Sequence, residues 1–115
     1  MLRGEIRWVD LEPVRGSETD KARPAVIVSN DGANAQANRA GRGIVTVVPV
    51  TTNTTRIYPF QVLLPASSSG LPHDSKAQAE QVRAVAVERV GDRLGALPVD
   101  ALAELDDALR LHLAL

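Results

Sequence analysis

The first half of the chain alternates between short apolar segments and long polar ones. Residues 4–11 mix apolar and charged positions as a half-buried strand does, and the β-branched residues 25–29 predict a second strand. Residues 12–24 lack an apolar period and carry turn formers and charges, so we expect an exposed loop there. Residues 30–43 are polar and rich in Gly and Asn, which predicts another loop with at most one helical turn around residues 33–38.

The second half contains the strongest strand signal. Residues 44–50 are β-branched almost throughout, and such continuous apolarity indicates a strand covered on both faces. Residues 58–64 predict another strand, and residues 65–75 a Ser-rich loop. Residues 76–87 alternate imperfectly and predict one further strand, and residues 93–97 a last short one.

The C-terminal segment changes to helical periodicity. Within residues 98–115, apolar side chains recur three and four residues apart, which predicts an amphipathic helix. Its expected buried stripe is Leu102, Leu105, Leu109 and His112, widened by Ala108, Leu111 and Leu115. The pattern therefore predicts a mainly β protein (α+β by count) of five to seven short strands with a C-terminal α-helix. Strands this short and this closely spaced favour a small, partly closed SH3-like barrel over an open sheet.

Composition narrows the possible chemistry. The 115 residues fit one domain, 1–115, and 44% hydrophobic residues suffice for a core, whereas no apolar run is long enough for a membrane span. The N-terminus lacks a leader pattern, so we expect a cytoplasmic protein. The absence of cysteine excludes disulfides, thiolate zinc sites and cysteine nucleophiles.

No metal or cofactor is expected. Only two histidines are present, and neither a metalloprotease motif nor a phosphate-binding loop of Walker type occurs. His112 falls on the predicted apolar stripe of the helix and is expected to pack in the core. His73 lies in a predicted loop and is expected at the surface.

The formal net charge of −1 argues against a protein that coats nucleic acid. The charge is unevenly distributed, however. Residues 1–60 carry eight Lys or Arg against six Asp or Glu, and residues 61–115 carry five against eight. The first half is therefore the better candidate for contact with anions, although a compositional bias towards Arg accounts for the pattern equally well.

Two segments could together form an active site without a metal. One is the hydroxyl-rich end of the strongest strand, at residues 51–55. The other is Arg23, which precedes Pro24 and follows a loop that bears Ser17 and Glu18. A guanidinium, a carboxylate and hydroxyl donors can stabilise a pentavalent phosphorane by preorganised hydrogen bonds. Taken separately, Thr clusters usually form turns and lone loop arginines are usually solvated, so the residues alone leave both interpretations open.

Several motifs, in order along the chain, resemble those of the MazF/PemK toxins of bacterial toxin–antitoxin systems. The matching segments are residues 4–13 (GEIRWVDLEP), 16–18 (GSE), 23–31 (RPAVIVSND), 48–52 (VPVTT), 58–62 (YPFQV), 79–83 (AEQVR) and the closing helix around 108–113. They span nearly the whole chain.

This resemblance implies the barrel fold of the plasmid-maintenance toxins and a metal-independent endoribonuclease that cleaves single-stranded mRNA at short motifs. In such a reaction the ribose 2′-OH attacks the adjacent phosphate and leaves a 2′,3′-cyclic phosphate and a 5′-OH. DNA is not expected as a substrate. The resemblance also implies a homodimer and a cognate MazE-like antitoxin. A non-catalytic toxin of the same fold that inhibits a protein such as DNA gyrase is the alternative.

Site roles follow from the resemblance position by position. Arg23 matches the catalytic arginine and, because a guanidinium stays protonated, is expected to stabilise phosphate charge rather than act as a base. Thr51 matches the catalytic threonine, and Glu18 an acid that could assist proton transfer or serve a structural or base-reading role. Further candidates for RNA contact are Ser17, Thr52, Asn53 and Gln81.

Aromatic residues make up only 3% of the chain, so stacking platforms for bases are expected to be scarce. Trp8 is expected to pack in its strand rather than stack on a base. Recognition should then depend on hydrogen bonds to base edges. Near-neutrality further predicts weak non-specific RNA binding with a modest salt dependence.

Overall fold

The computed structural model describes residues 1–11 and 22–115. These residues form seven strands, three α-helices and two short 3₁₀ turns. The strands are β1 Glu5–Asp10, β2 Ala22–Ile27, β3 Ile44–Thr51, β4 Gln61–Leu64, β5 Ser75–Gln78, β6 Arg83–Ala86 and β7 Val90–Ala96. The α-helices are α1 Asp31–Ala40, α2 Ala66–Ser69 and α3 Val99–Leu113, and the 3₁₀ turns are Ala79–Gln81 and Val87–Arg89.

All seven strands belong to one antiparallel sheet in the order β4-β5-β3-β2-β1-β7, with β6 paired to β3 beside β5. The mainly β architecture, the strand number and the C-terminal helix are confirmed. The strand order ends at β4 on one side and at β7 on the other, so the sheet is open between these two strands.

The sheet buries apolar side chains on both faces. One face, here called the α3 face, packs against helix α3 and includes Ile6, Val26 and Val48. The other, here called the α1 face, includes Ala25 and Val47 and packs against α1. Residues that pair across antiparallel strands point to the same side of the sheet. Ile6 pairs with Val26, and Val26 with Val48, so all three lie on the α3 face.

Strand β3 contributes to both cores, as its continuous apolarity predicted. Val45 and Val47 are buried on the α1 face, and Val48 and Val50 on the α3 face. The strand lies between β2 on one side and β5 and β6 on the other. Its central place in the sheet explains why it carries buried apolar side chains on both faces.

The prediction of a loop with one helical turn at residues 30–43 is wrong, because Asp31–Ala40 forms a helix of ten residues. The side chain of Asn30 caps its N-terminus by accepting a hydrogen bond from the backbone N–H of Ala33 at 2.8 Å, and Gly41 ends it at φ 68°. Within the helix only Asn34 and Ala37 are buried. Such a narrow buried stripe leaves too little apolar periodicity to reveal the helix.

The strand predicted at residues 58–64 is shorter than expected, since β4 begins at Gln61. Tyr58 starts a turn instead: its carbonyl accepts a hydrogen bond from the backbone N–H of Gln61 at 2.9 Å. Pro59 lacks an N–H for a strand ladder, which favours this turn. The predicted loop at 65–75 contains the short helix α2, packed so closely on β7 that a Cβ at Gly95 would clash with the carbonyl of Ser69.

The single strand predicted at residues 76–87 is wrong. The structure has two strands, β5 and β6, separated by the 3₁₀ turn Ala79–Gln81, and both pair with β3. Ala77 is buried on the α3 face and Val85 on the α1 face. The turn therefore moves residues of the same parity from one face to the other, which is the physical reason for the imperfect alternation.

Helix α3 covers the sheet with its first three turns only. Leu105 and Ala108 are buried, and Leu102 and Leu109 pack at the edge of the same core. His112 is exposed, so its predicted place in the core is wrong; Leu111 and Leu115 are exposed as well. The last turn thus leaves its apolar side chains exposed. No helix among residues 1–11 and 22–115 is long and apolar enough to cross a membrane.

Candidate functional site

Arg23 and Thr51 lie on neighbouring strands at the same end of the sheet. Strands β2 and β3 pair in the register Ala25↔Pro49, and two further residues along each strand lead to Arg23 and Thr51. In antiparallel strands such opposite positions point to the same face. By alternation along each strand, both residues lie on the α1 face, at the end of the ladder that joins β2 and β3.

The hydroxyl of Thr51 is oriented by the turn that follows it. Its Oγ1 accepts a hydrogen bond from the backbone N–H of Asn53 at 3.2 Å, and Asn53 Oδ1 accepts one from the N–H of Thr55 at 3.3 Å. An hydroxyl that accepts one bond still has its O–H to donate. Thr51 is half-buried, so this donor can serve an anion at the strand end.

Lys76 is a further cation of this site that the sequence reasoning missed. It pairs with Thr51 across β3 and β5, on the same face of the sheet. The residue is only 7% exposed, and its ammonium donates to the carbonyl of Arg56 at 2.6 Å. A buried lysine needs such a partner. A single charged residue within a strand is the only signal in the sequence, and it did not distinguish Lys76 from a solvated lysine.

Arg83 brings a second guanidinium towards the same end of the α1 face. It stands opposite Val47 on β6, and its Nη1 donates to the carbonyl of Leu11 at 3.1 Å. Leu11 lies two residues beyond Val9, which is the partner of Arg23 in β1. The side chain therefore crosses the face from β6 to the far end of β1. Three cationic side chains, those of Arg23, Lys76 and Arg83, share the face with Thr51.

The other residues predicted for the site differ in position and exposure. Ser17 and Glu18 lie outside the described residues. Thr52 and Asn53 are exposed directly after Thr51, and Asn53 also shapes the turn. Gln81 is half-buried in the 3₁₀ turn between β5 and β6, whereas the residue in register with Thr51 on β5 is Lys76.

The segment between β3 and β4 carries an aromatic pair. The rings of Tyr58 and Phe60 stack with centroids 5.4 Å apart and an angle of 2° between their planes. The Arg56 guanidinium carbon lies 5.0 Å from the centre of the Tyr58 ring, and the Lys76 ammonium 5.9 Å from it. Tyr58, stacked on Phe60, therefore lies beside Lys76, the partner of Thr51 across β3 and β5.

The exposure of Trp8 and His73 tests two further predictions. Trp8 is 46% exposed, so the expectation that it packs in the core is wrong. Its neighbours Ile6 and Val9 are buried on opposite faces and anchor the strand without it. His73 is exposed, as predicted.

The chemistry that this arrangement offers is anion binding with hydrogen-bond donation. Guanidinium and ammonium groups and an hydroxyl donor suit phosphate oxygens. In the part of the chain that the structure describes, no three His, Asp or Glu side chains are grouped so as to hold a metal ion.

Comparisons with known proteins identify the family to which the chain belongs. Residues 2–113 match the family described as PemK-like, MazF-like toxin of type II toxin–antitoxin system. Endoribonuclease MazF9 of Mycobacterium tuberculosis is 59% identical over 115 residues, which cover 100% of this chain and 98% of that protein.

Two solved structures resemble the whole chain. The crystal structure of MazF (Form-I) from Deinococcus radiodurans has a TM-score of 0.79 at 27% identity and covers 100% of this chain and 97% of that one. An endoribonuclease in complex with its cognate antitoxin from a mycobacterial species has a TM-score of 0.78 at 26% identity, covering 100% of this chain and 96% of that one.

Proposed function

Because the chain belongs to the PemK-like, MazF-like family of type II toxins, we propose that it is an endoribonuclease toxin that cleaves single-stranded mRNA and so inhibits translation and growth. The observation that carries this proposal is the register that puts Arg23 and Thr51 on one face at one end of the sheet. Cleavage at short sequence motifs, without a metal or cofactor, is part of the proposal.

The reaction uses a nucleophile that the RNA itself supplies. The ribose 2′-OH loses its proton and attacks the adjacent phosphorus, and the bond from phosphorus to the 5′-oxygen breaks. The products are a 2′,3′-cyclic phosphate and a 5′-OH, the latter formed when the leaving oxygen takes up a proton. Arg23 stabilises the extra negative charge on the phosphorane, and Thr51 donates its hydroxyl to a non-bridging oxygen.

Proton transfer and base contact are assigned to neighbouring residues. Glu18 assists in moving the proton of the 2′-OH, and Arg23 can donate to the 5′-oxygen. Ser17, Thr52, Asn53 and Gln81 contact the RNA bases or backbone. Deoxyribose lacks the nucleophile, so DNA is not a substrate.

The proposal includes partners. A toxin of this kind requires a cognate MazE-like antitoxin, and the mycobacterial endoribonuclease solved with its cognate antitoxin supports one for this chain. We also propose a homodimer, on the family resemblance, and a cytoplasmic location, where its mRNA substrate is found. Light scattering of the purified protein measures its oligomeric state directly.

The test of the activity is cleavage of a long transcript in EDTA. We expect fragments whose 5′ ends accept phosphate from a kinase without prior dephosphorylation and whose 3′ ends carry a cyclic phosphate. Replacing one ribose at a mapped site by 2′-deoxyribose should abolish cleavage there. An intact transcript over many sequences, together with inhibition of supercoiling by DNA gyrase, would establish the non-catalytic alternative.

Arg23→Ala should lower the cleavage rate about a hundred- to a thousandfold, the usual cost of removing one preorganised donor to a developing oxyanion. Arg42→Ala, at an exposed position after α1, is the matched control and should cleave as the wild type does. Both variants should retain the unfolding temperature of the wild type within a few degrees. A fully active Arg23→Ala protein would remove Arg23 from the mechanism.

A further inference from the structure

Tyr58 and Phe60 form an aromatic pair in the segment between β3 and β4. The sequence contains one Trp, one Tyr and one Phe, and two of these three stack on each other in the segment between β3 and β4. Tyr58 is nevertheless 40% exposed, and Ile57 next to it is 39% exposed. The ring of Tyr58 is therefore accessible to a ligand.

The backbone around Tyr58 is fixed on both sides. Its N–H donates to Gln61 Oε1 at 3.1 Å, and Gln61 Nε2 in turn donates to Glu80 Oε2 at 2.7 Å. On the preceding side, the buried ammonium of Lys76 holds the carbonyl of Arg56. A surface held in this way before a ligand arrives loses little conformational entropy on binding.

The charge beside the ring selects the kind of ligand. Arg56 and Lys76 both lie within 6 Å of the centre of the Tyr58 ring, and Lys76 is in register with Thr51. The ring thus lies next to two cations, one of which pairs with Thr51 at the candidate phosphate site. A nucleotide, which has a flat base and a phosphate, fits this surface better than an apolar peptide. Unstacked RNA bases bind on aromatic rings and on arginine guanidinium planes.

We infer that Tyr58 and Arg56, held by Lys76 and Gln61, form a stacking platform for one base of the single-stranded RNA next to the cleaved phosphate. The inference rests on the proposed function, whose phosphate lies at Thr51. Stacking is tolerant of base identity, so the platform contributes mainly to affinity and to the position of the strand.

Fluorescence provides a readout that does not depend on cleavage. In a Trp8→Phe protein, Tyr58 is the only remaining tyrosine or tryptophan, so its emission reports on its own ring. The probe is a pool of 2′-O-methyl RNA dodecamers, in which the nucleophile is blocked. We expect saturable quenching of the Tyr58 emission, and no quenching by the matched pool of abasic oligonucleotides.

Kinetics separate stacking from a general structural effect. Tyr58→Leu keeps apolar bulk but removes the ring, and should raise KM roughly five- to 150-fold with kcat and unfolding temperature nearly unchanged. Tyr58→Phe keeps the ring and should restore KM to within about twofold of the wild type.

The outcomes distinguish this inference from the proposed function. An unaltered KM for Tyr58→Leu and an unquenched Tyr58 emission, in a protein whose wild type cleaves RNA, overturn the platform and leave the function intact. Loss of folding in both Tyr58 variants together with absent quenching also overturns it, since the ring is then only structural. If the wild type cleaves no RNA, the function falls, and quenching by the blocked RNA alone decides whether the platform exists.

Discussion

On the α3 face, the sheet meets a helix whose Leu105 and Ala108 are buried, whereas on the α1 face Arg23 lies near the start of β2 and Thr51 at the end of β3. The same strands supply both faces. The α3 face is closed by apolar contact along the helix, and its acidic residues Asp100, Glu104 and Asp107 point to solvent. The α1 face also has an apolar core, to which α1 contributes Ala37, and it carries in addition the cationic side chains of Arg23, Lys76 and Arg83.

The difference shows how a chain with a net charge of −1 can offer a site for phosphate. Helix α3 carries four acidic residues on one side of the sheet, and Arg23, Lys76 and Arg83 are on the other. Screening in water limits the interaction between exposed charges on opposite sides of the sheet. The local cluster, rather than the total charge, therefore determines which face an anion meets.

The largest expected effect comes from a substitution that disrupts the apolar core on the α3 face. Leu105 is fully buried, so Leu105→Ala should lower the free energy of unfolding by about 2–5 kcal/mol through lost apolar burial and a residual cavity. Denaturant titration measures this loss. At temperatures where the variant is folded, its RNA cleavage should match the wild type, because no residue of the α1 face has changed. A selective loss of cleavage in the folded variant would show that the two faces are coupled.

A smaller effect is expected from Thr51→Val, which removes the hydroxyl donor from the α1 face and leaves the side-chain volume nearly constant. The lost hydrogen bond to a charged phosphate oxygen is worth about 1.5–3 kcal/mol, so cleavage should slow roughly ten- to a hundredfold with stability nearly unchanged. Thr46→Val, at the other end of β3, is the matched control for the same chemical change. Equal rates for the two variants would contradict the role of Thr51.

The smallest effect concerns salt. If the α1 face neutralises about three phosphates, the logarithm of the affinity for single-stranded RNA should fall with the logarithm of salt concentration with a slope of about −2. Fluorescence anisotropy of a labelled 2′-O-methyl RNA over a salt series measures the slope. A slope of roughly −5 or steeper would require many more phosphate contacts than this face offers.

The central parts of the fold were predictable because their signals are local. The run of β-branched residues in β3 and the helical spacing of Leu102, Leu105 and Leu109 each identify one element without reference to the rest of the chain. Helix α1 was not predicted because a helix with only two buried residues has almost no apolar stripe in its sequence. The break between β5 and β6 was not predicted because it depends on the pairing of both strands with β3, which lies earlier in the sequence.

The site was predictable only in part. Arg23 and Thr51 were identified by their motifs, and the register of β2 and β3 confirms that they share a face. Lys76 and the stack of Tyr58 on Phe60 were not, since their significance arises from the contacts that Lys76 makes with Arg56 and Tyr58. Such contacts join residues about 20 positions apart, and no periodicity records them.

The sequence by itself determined which residue types were available: no cysteine, two histidines, a helix-forming C-terminus and an arginine and a threonine in recognisable motifs. The tertiary structure decided where they act. Antiparallel pairing fixes which side chains share a face, and burial decides whether a lysine is solvated or held beside Thr51. Both are consequences of long-range packing, which the order of residues along the chain specifies but does not display.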